Sequence, residues 1–184
     1  MPNWAFGTVQ ASGKKENVKN FIEQCFLSGC DKRPNKFKDI KYFARTFIND
    51  AYEVLFNEFE NELSQVSSED ECTYSFPVYF AWSAYTCLID GYPQKFTNEC
   101  IDLSTACKKY NVDIALMTEE EGIGFEEHII CNRYGEIIKN ECIDMLRYEC
   151  VSCGNTQLFP KQESEYCCID CGKEGIANWH LKLD

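Results

Sequence analysis

Four cysteines near the C-terminus form two Cys-x-x-Cys-Gly motifs, the pattern in this chain with the clearest chemistry. Cys150 and Cys153 lie in Cys-Val-Ser-Cys-Gly, and Cys168 and Cys171 lie in Cys-Ile-Asp-Cys-Gly. Each motif can turn tightly enough to point two sulfurs at one metal ion, because the glycine tolerates the bend after the second cysteine. The doubled spacing predicts a zinc ribbon with one structural Zn²⁺, since four thiolates fill a tetrahedral site and leave no position open for a substrate.

Two other chemistries use the same motif, namely a pair of local disulfides and a redox-active Cys-x-x-Cys. Neither explains why a glycine follows both pairs. Cys167 adjoins Cys168 but lacks the two-residue spacing to Cys171, so we expect Cys167 to lie outside the ligand set. His180 is a further possible ligand. Because four cysteines close the site, we expect His180 at the surface beside Trp179, which docks the tail.

Glu126, Glu127 and His128 are the second group of residues that could do chemistry, since a carboxylate and a histidine can exchange protons. In an extended strand Glu127 points away from both neighbours, which leaves Glu126 and His128 on one face. No third convergent group is evident, and the sequence contains no nucleotide-binding glycine-rich loop and no serine-nucleophile motif. We therefore expect no catalytic residue and a non-enzymatic protein.

The charge of the chain limits its partners. Its 184 residues carry a formal net charge of −12, which disfavours direct nucleic-acid binding because phosphates are repelled. The segment with the most positive charge, between Lys32 and Lys41, is better explained as a solvated loop. Two acidic runs form the candidate binding surface: Glu69, Asp70 and Glu71, and Glu119, Glu120 and Glu121.

Cysteine usage and hydropathy predict a cytoplasmic protein. Met1 opens no basic and apolar signal sequence, and no apolar stretch reaches the roughly 18 residues of a membrane span. Of the thirteen cysteines, the nine outside the two motifs are expected to be reduced thiols that behave as small hydrophobic residues.

Hydrophobic periodicity predicts an α+β domain over residues 1–143 and a zinc-ribbon module over residues 144–184. Strand alternation covers residues 2–11 and ends at a Ser12-Gly13 turn, and a helical stripe follows to Phe26. The remaining predictions are a short strand at 41–48, a helix at 50–65 and a strand at 72–82. A third helical region follows that strand, is interrupted around residues 91–93, restarts behind a Thr97 cap and runs to Tyr110, and strands at 112–118, 124–132 and 136–140 complete the domain.

Three stretches of this chain resemble the YubB ferredoxin-like family of phage, plasmid and other mobile-element proteins. The opening Met1-Pro2-Asn3-Trp4, Trp82-Ser83 and the acidic segment 119–125 are similar to that family's motifs. Ala5 and Ala84 depart from its usual cysteine and proline, and the ribbon is an addition. The resemblance covers about residues 1–141 and implies an antiparallel sheet with helices on one face, together with a mobile-element context.

The functional expectation is a non-enzymatic acidic accessory protein that binds zinc and a basic host or defence-system protein. An inhibitor of host defence, of anti-CRISPR or a similar type, would block a basic nucleic-acid-binding cleft by charge complementarity. The first alternative is a zinc-ribbon protein that binds nucleic acid in transcription or replication, which the excess of acidic residues in the ribbon segment disfavours. The second alternative is a hydrolase that uses Glu126 and His128.

Overall fold

The computed structural model describes residues 3–26, 43, 45–47, 57–59, 61, 62, 64, 67, 70–89, 100–120, 122, 124–161, 166–176 and 179–181. The helices and strands, in chain order, are β1 (Trp4–Lys14), α1 (Lys15–Cys25), β2 (Thr46–Phe47), β3 (Glu71–Ala81), α2 (Ala84–Leu88), α3 (Leu103–Tyr110), β4 (Asp113–Glu120), β5 (Phe125–Cys131), β6 (Ile137–Cys150), β7 (Thr156–Pro160) and β8 (Trp179–Leu181). Residues 57–59, 61 and 62 are helical as well.

The strands form one sheet in the order β2-β3-β1-β4-β5-β6-β7, with β8 beside β6. Every described pair of strands is antiparallel. Helices α1, α2 and α3 contact strands of this sheet. The predicted α+β class, an antiparallel sheet combined with a few helices, is confirmed.

The core lies between the sheet and the helices, and strand and helix periodicity place it there. In β1, Ala5, Val9 and Ala11 are buried while the alternate side chains face outward. In α1, the apolar residues recur at helical spacing and bury one stripe that includes Phe21 and Ile22. The predicted faces of β1 and the predicted stripe of α1 are therefore correct.

Two predicted element boundaries near the core differ from the structure. The Ser12-Gly13 turn is wrong, because β1 continues to Lys14 and finds a register partner in β3 for every residue. Helix α3 starts at Leu103 with Asp102 as its cap, whose side chain accepts a hydrogen bond from the Thr105 amide at 2.8 Å. The predicted cap Thr97 lies outside the described residues.

Strand β6 is much longer than the predicted 136–140. It pairs with β5 as far as Asp144 and with β7 from Met145 onward, so the predicted boundary at 143/144 falls inside one continuous strand, beside the point where its partner changes. Gly124 permits this junction: it has a φ of +80°, and a Cβ atom there would lie 2.7 Å from the Met145 carbonyl oxygen. The buried residues nevertheless form two separate clusters, one in the main sheet and one in the ribbon.

Candidate metal site and acidic surface

The two Cys-x-x-Cys-Gly motifs fold alike. The Gly154 amide donates to the Cys150 carbonyl, and the Gly172 amide donates to the Cys168 carbonyl, both at 2.8 Å. Both glycines lie in the left-handed region, with φ of +75° and +67°, where a side chain would be strained. The repeated glycine thus has a backbone reason, and each motif forms the tight knuckle that its spacing predicts.

The knuckles bring four sulfurs together. The Sγ atoms of Cys150, Cys153, Cys168 and Cys171 all lie within 4.8 Å of one another. The Cys150–Cys171 Sγ distance is 3.7 Å and the Cys153–Cys168 Sγ distance is 3.6 Å, so these short contacts join one knuckle to the other. A tetrahedral site with metal–sulfur bonds of about 2.3 Å has sulfurs about 3.8 Å apart. The cluster therefore has the size of a metal site.

The electrostatic surroundings of the cluster favour a thiolate at Cys168. Burial opposes ionisation of this thiol, but the amides of Cys171 and Asp170 and the neighbouring thiols outweigh burial and lower its pKa to about 6. At Cys153 the Asn155 amide favours the thiolate, but partial desolvation and the other three thiols raise the pKa to about 12. An ionised Cys168 sulfur that faces a Cys153 thiol with its proton retained is an arrangement that a cation would displace toward four thiolates.

A small hydrophobic cluster supports the buried side of the sulfurs. Cys150 and Cys168 are each only 1% exposed and pack with Tyr166 and Trp179. The Phe159 ring lies 4.8 Å from the Trp179 ring in an edge-on contact. The expectation that Trp179 docks the tail is confirmed by its burial and by the pairing of β8 with β6.

The two rival ligands lie outside the cluster. Cys167 is exposed and forms an isolated bridge with Glu174, and its sulfur lies 4.0 Å from the Cys168 carbonyl oxygen. His180 is exposed on β8 opposite Glu149. The metal-ligating set that the spacing predicts is thus the set that the fold brings together.

Glu126 and His128 share the outward face of β5 and contact each other, as the strand alternation predicts. His128 Nε2 is hydrogen-bonded to Glu126, and the Lys139 ammonium lies 3.2 Å from His128 Nδ1. An ammonium can only donate, so Nδ1 accepts and Nε2 carries the proton given to Glu126. Both ring nitrogens are therefore engaged, and Lys139 also pairs with Glu141 at 2.9 Å. Glu126, His128, Lys139 and Glu141 thus form a hydrogen-bonded network on the outer face of the sheet.

Glu127 is a structural residue that sequence reasoning passed over. It is 3% exposed on the inner face, and its carboxylate accepts from the Ala84 amide at 2.7 Å, the Tyr85 amide at 3.2 Å and the Thr118 hydroxyl at 3.1 Å. These bonds tie the start of α2 to β4 and β5. A carboxylate in an otherwise apolar inward alternation was the signal that could have identified it.

The two acidic runs do not form one surface in the described part of the chain. Glu71 stands opposite Lys14 on β1, whereas Glu119 stands opposite Phe6. Eight residues of extended strand separate these positions, or about 26 Å, which is about three Debye lengths at physiological salt. Glu69 and Glu121 lie outside the described residues, as does the basic segment from Lys32 to Lys41.

Individual members of the runs also differ in their environments. Glu120 is 4% exposed, and its carboxylate accepts from the Gly122 amide at 3.1 Å, so it does not belong to an outward acidic surface. Glu71 is held by both terminal nitrogens of Arg133, which lower its pKa. Asp70 and Glu119 are exposed. Strand alternation places Glu120 on the inner face of the sheet and Glu119 on the outer face. The run of glutamates in the sequence does not by itself show this difference.

Within the described part of the chain, no helix is long and apolar enough to cross a membrane. Comparisons with protein-family models, with curated proteins and with solved structures found no match to this chain.

Proposed function

We propose that Cys150, Cys153, Cys168 and Cys171 bind one Zn²⁺ and that β6, β7 and β8 with the two knuckles form a zinc ribbon. The observation that carries the proposal is the close approach of four sulfurs from two knuckles of the same geometry. A disulfide requires sulfurs about 2.05 Å apart, whereas the shorter of the two Sγ–Sγ contacts between the knuckles, from Cys153 to Cys168, is 3.6 Å. Zinc is the metal that four thiolates in a tetrahedron suit best.

The role of the metal in this proposal is structural. Four protein ligands occupy all positions of a tetrahedral ion, so no position remains for water or a substrate. Among the residues that the structure describes, the ribbon's own hydrophobic cluster contains four buried ones, too few to offset chain entropy without a cross-link. Metal binding would supply the missing folding free energy.

For the remainder of the chain we propose a ferredoxin-like domain extended by β5 and β6. The support is the arrangement of the first four strands: they occur in the order β1, α1, β2, β3, helices, β4 along the chain and in the order β2-β3-β1-β4 across the sheet. In a split βαβ arrangement of this kind, each strand pairs with antiparallel neighbours in the sheet. Each of the two crossovers connects two parallel strands that have another strand between them. The proposed kinship with the YubB family rests on the sequence resemblance.

We further propose that the protein is a non-enzymatic cytoplasmic adaptor or inhibitor that binds a basic protein partner. The net charge of −12 supports a basic partner, and the free thiols of the described cysteines support a reducing compartment. The engagement of both His128 nitrogens argues against the hydrolase alternative. An anti-defence role, such as blocking a nucleic-acid cleft in a CRISPR effector, follows from the mobile-element resemblance.

The test uses the full-length, zinc-loaded protein. We expect no gel shift with duplex or single-stranded nucleic acid near physiological salt, and we expect affinity capture from the native host to recover a basic protein that salt releases. Reversing Glu119 to Lys should slow association with that protein more than it speeds dissociation, because an exposed charge steers encounter. Glu120 is left unchanged since it is buried. Tight nucleic-acid binding that disappears on removal of residues 145–184 would instead support the zinc-ribbon nucleic-acid binder.

A further inference from the structure

The outer face of the sheet, opposite the helices, has a polar end whose side chains bond one another. The Ser12 and Thr73 hydroxyls lie 2.8 Å apart across β1 and β3. Arg133 donates to Glu71 at 3.0 and 3.2 Å, and to Asp113 at 2.6 and 2.9 Å. The polar side chains at this end are thus hydrogen-bonded to one another across the strands. This part of the face therefore offers few hydrogen-bonding groups to a partner.

The other end of the same face is apolar and exposed. Trp4 is 42% exposed, Phe6 is 40% exposed and Met117 is 56% exposed. Phe6 stands opposite Tyr79 in the β1–β3 register, with ring centroids 4.8 Å apart, and Met117 stands opposite the adjacent outward residue Thr8. Each of these three side chains thus keeps 40% or more of its surface open to solvent. Grouped exposed apolar residues on so acidic a protein are typical of an interaction site.

A depression of about 160 Å³ opens beside the aromatic rings, lined by Phe6, Gly7, Thr8, Met117, Thr118, Glu119 and Glu126. Gly7 lets the strands approach here, since a Cβ atom at this position would collide with the Met117 carbonyl and with Thr118. Sites for cofactors and drug-sized ligands occupy roughly 300 to 1,000 Å³. The depression is therefore too small for such a ligand but large enough for the end of one side chain.

The charges that line the depression select a cation. Glu119 and Glu126 stand directly opposite each other on β4 and β5, a placement that is unfavourable for like charges. Lys139, one strand away, pairs with Glu141 and His128, and His128 in turn bonds Oε1 of Glu126, so a cation in the depression would approach Oε2 of Glu126 and the Glu119 carboxylate. An arginine or lysine of a partner could lay its aliphatic stem on Phe6 and place its charged end between the two carboxylates.

We propose that this end of the outer face docks a basic segment of a partner protein and that the depression receives one of its arginine or lysine side chains. We call it the aromatic-acidic patch, formed by Trp4, Phe6, Tyr79, Met117, Glu119 and Glu126. The proposal rests on the proposed function and gives the basic partner a location. Exposed aromatics on a sheet also stack nucleobases, but the carboxylates at their edge repel the phosphates that accompany bases.

The experiment titrates the full-length, zinc-loaded, ¹⁵N-labelled protein with a short end-capped peptide of Leu and Ser residues in which a central arginine is the only charge. The matched probe replaces that arginine with citrulline, which has nearly the same shape and no charge. We expect amide shifts centred on Phe6, Gly7, Glu119 and Glu126, and binding of the arginine peptide about tenfold tighter than that of the citrulline peptide. A thymidine oligonucleotide is expected to cause no shifts there.

Variants separate the contributions to binding. Glu119→Gln should weaken the arginine peptide about tenfold and leave the citrulline peptide unchanged, because only the charge-assisted contact is lost. Phe6→Ala should weaken both peptides. The control Glu62→Gln removes one charge from an exposed residue near the buried Tyr74 and should change neither affinity. Circular dichroism of each variant checks that the fold is retained.

Four results would overturn the proposal. Equal losses in Glu119→Gln and Glu62→Gln would mean that the overall field, and not the patch, attracts the peptide. Oligonucleotide binding that Phe6→Ala abolishes would make the face a base-stacking surface. If the protein binds a basic partner while Glu119→Gln and Phe6→Ala leave that binding intact, the patch is wrong and the proposed function stands. A wild-type protein that binds no basic protein at all would contradict both.

Discussion

Replacing Cys168 by serine should abolish tight metal binding, whereas the same replacement at the adjacent Cys167 should not. The two positions make a matched pair because they carry the same side chain and receive the same single-atom change. Cys168 is 1% exposed and its sulfur lies 3.6 Å from that of Cys153. Cys167 is exposed and outside the cluster. A larger loss of zinc affinity in Cys168→Ser than in Cys167→Ser is therefore the result that ligation by Cys168 predicts.

The expected size of the effect follows from the number of ligands. Structural zinc sites in small peptides contribute about 10 to 16 kcal/mol at neutral pH, shared among four ligands. Since about 1.4 kcal/mol corresponds to a factor of ten, an equal share for one thiolate corresponds to roughly a 100- to 1,000-fold loss of zinc affinity in Cys168→Ser. For Cys167→Ser we expect less than about a twofold change, because the hydroxyl faces solvent.

Competition with a chromogenic chelator measures the zinc affinity of both variants, and metal analysis after gel filtration measures the zinc retained per chain. Substitution with Co²⁺ adds a spectroscopic check, because its ligand-field absorption distinguishes four thiolates from three thiolates and an oxygen. Equal zinc retention in the two variants would refute the assignment. A loss in Cys167→Ser alone would show that the second knuckle uses a different register of cysteines.

Three further predictions concern the main sheet. A chain that ends at Ile143 should keep its helical circular-dichroism signal, because the buried residues of the main core all precede that position; an unfolded spectrum would mean that both parts share one core. Arg133→Gln should destabilise the protein at neutral pH but not in strong acid. Arg133 lowers the pKa of Glu71 by hydrogen bonding, and its hydrogen bonds to Asp113 outweigh burial and lower the pKa of that carboxyl as well. The stabilisation is therefore complete at pH values above the ordinary pKa values of 4.5 and 3.8, and it is lost as the pH falls through the lowered pKa values. Denaturant titrations of both proteins at neutral pH and near pH 3 test this, and an equal difference at the two pH values would contradict it. Glu127→Gln should cost about 1 to 3 kcal/mol in the free energy of unfolding, because a buried carboxylate loses charge-assisted bonds to backbone amides; a change below about 0.5 kcal/mol in the same titrations would show that those bonds contribute little.

The four clustered cysteines could be identified from sequence because their geometry is local. Both cysteines of a knuckle lie within four residues of each other, and the glycine that follows supplies the positive φ that the turn requires. The same holds for β1 and α1, whose buried faces follow from periods of two and 3.6 residues. The exclusion of Cys167 also followed from spacing alone.

Strand ends were harder to predict because they depend on partners distant in sequence. The turn expected at Ser12-Gly13 is replaced by continued pairing, since β3 supplies partners for those residues. Strand β6 extends through a polar stretch with little alternation because β5 binds its first part and β7 and β8 bind its second. A prediction based on hydrophobic pattern stops where the alternation fades, whereas backbone hydrogen bonding does not.

The sequence by itself determined the cluster of four cysteines, the α+β class and the acidic character of the surface. Only the tertiary structure decided which residues share that surface. The register across β1 separates Glu71 from Glu119 by the length of a strand and places Phe6 beside Tyr79. Glu120 is buried on the inner face and does not belong to that surface. Strand register is fixed by non-local pairing, and a change of one residue would move every side chain to the other face. Neighbours on a sheet therefore cannot be obtained from composition or local spacing.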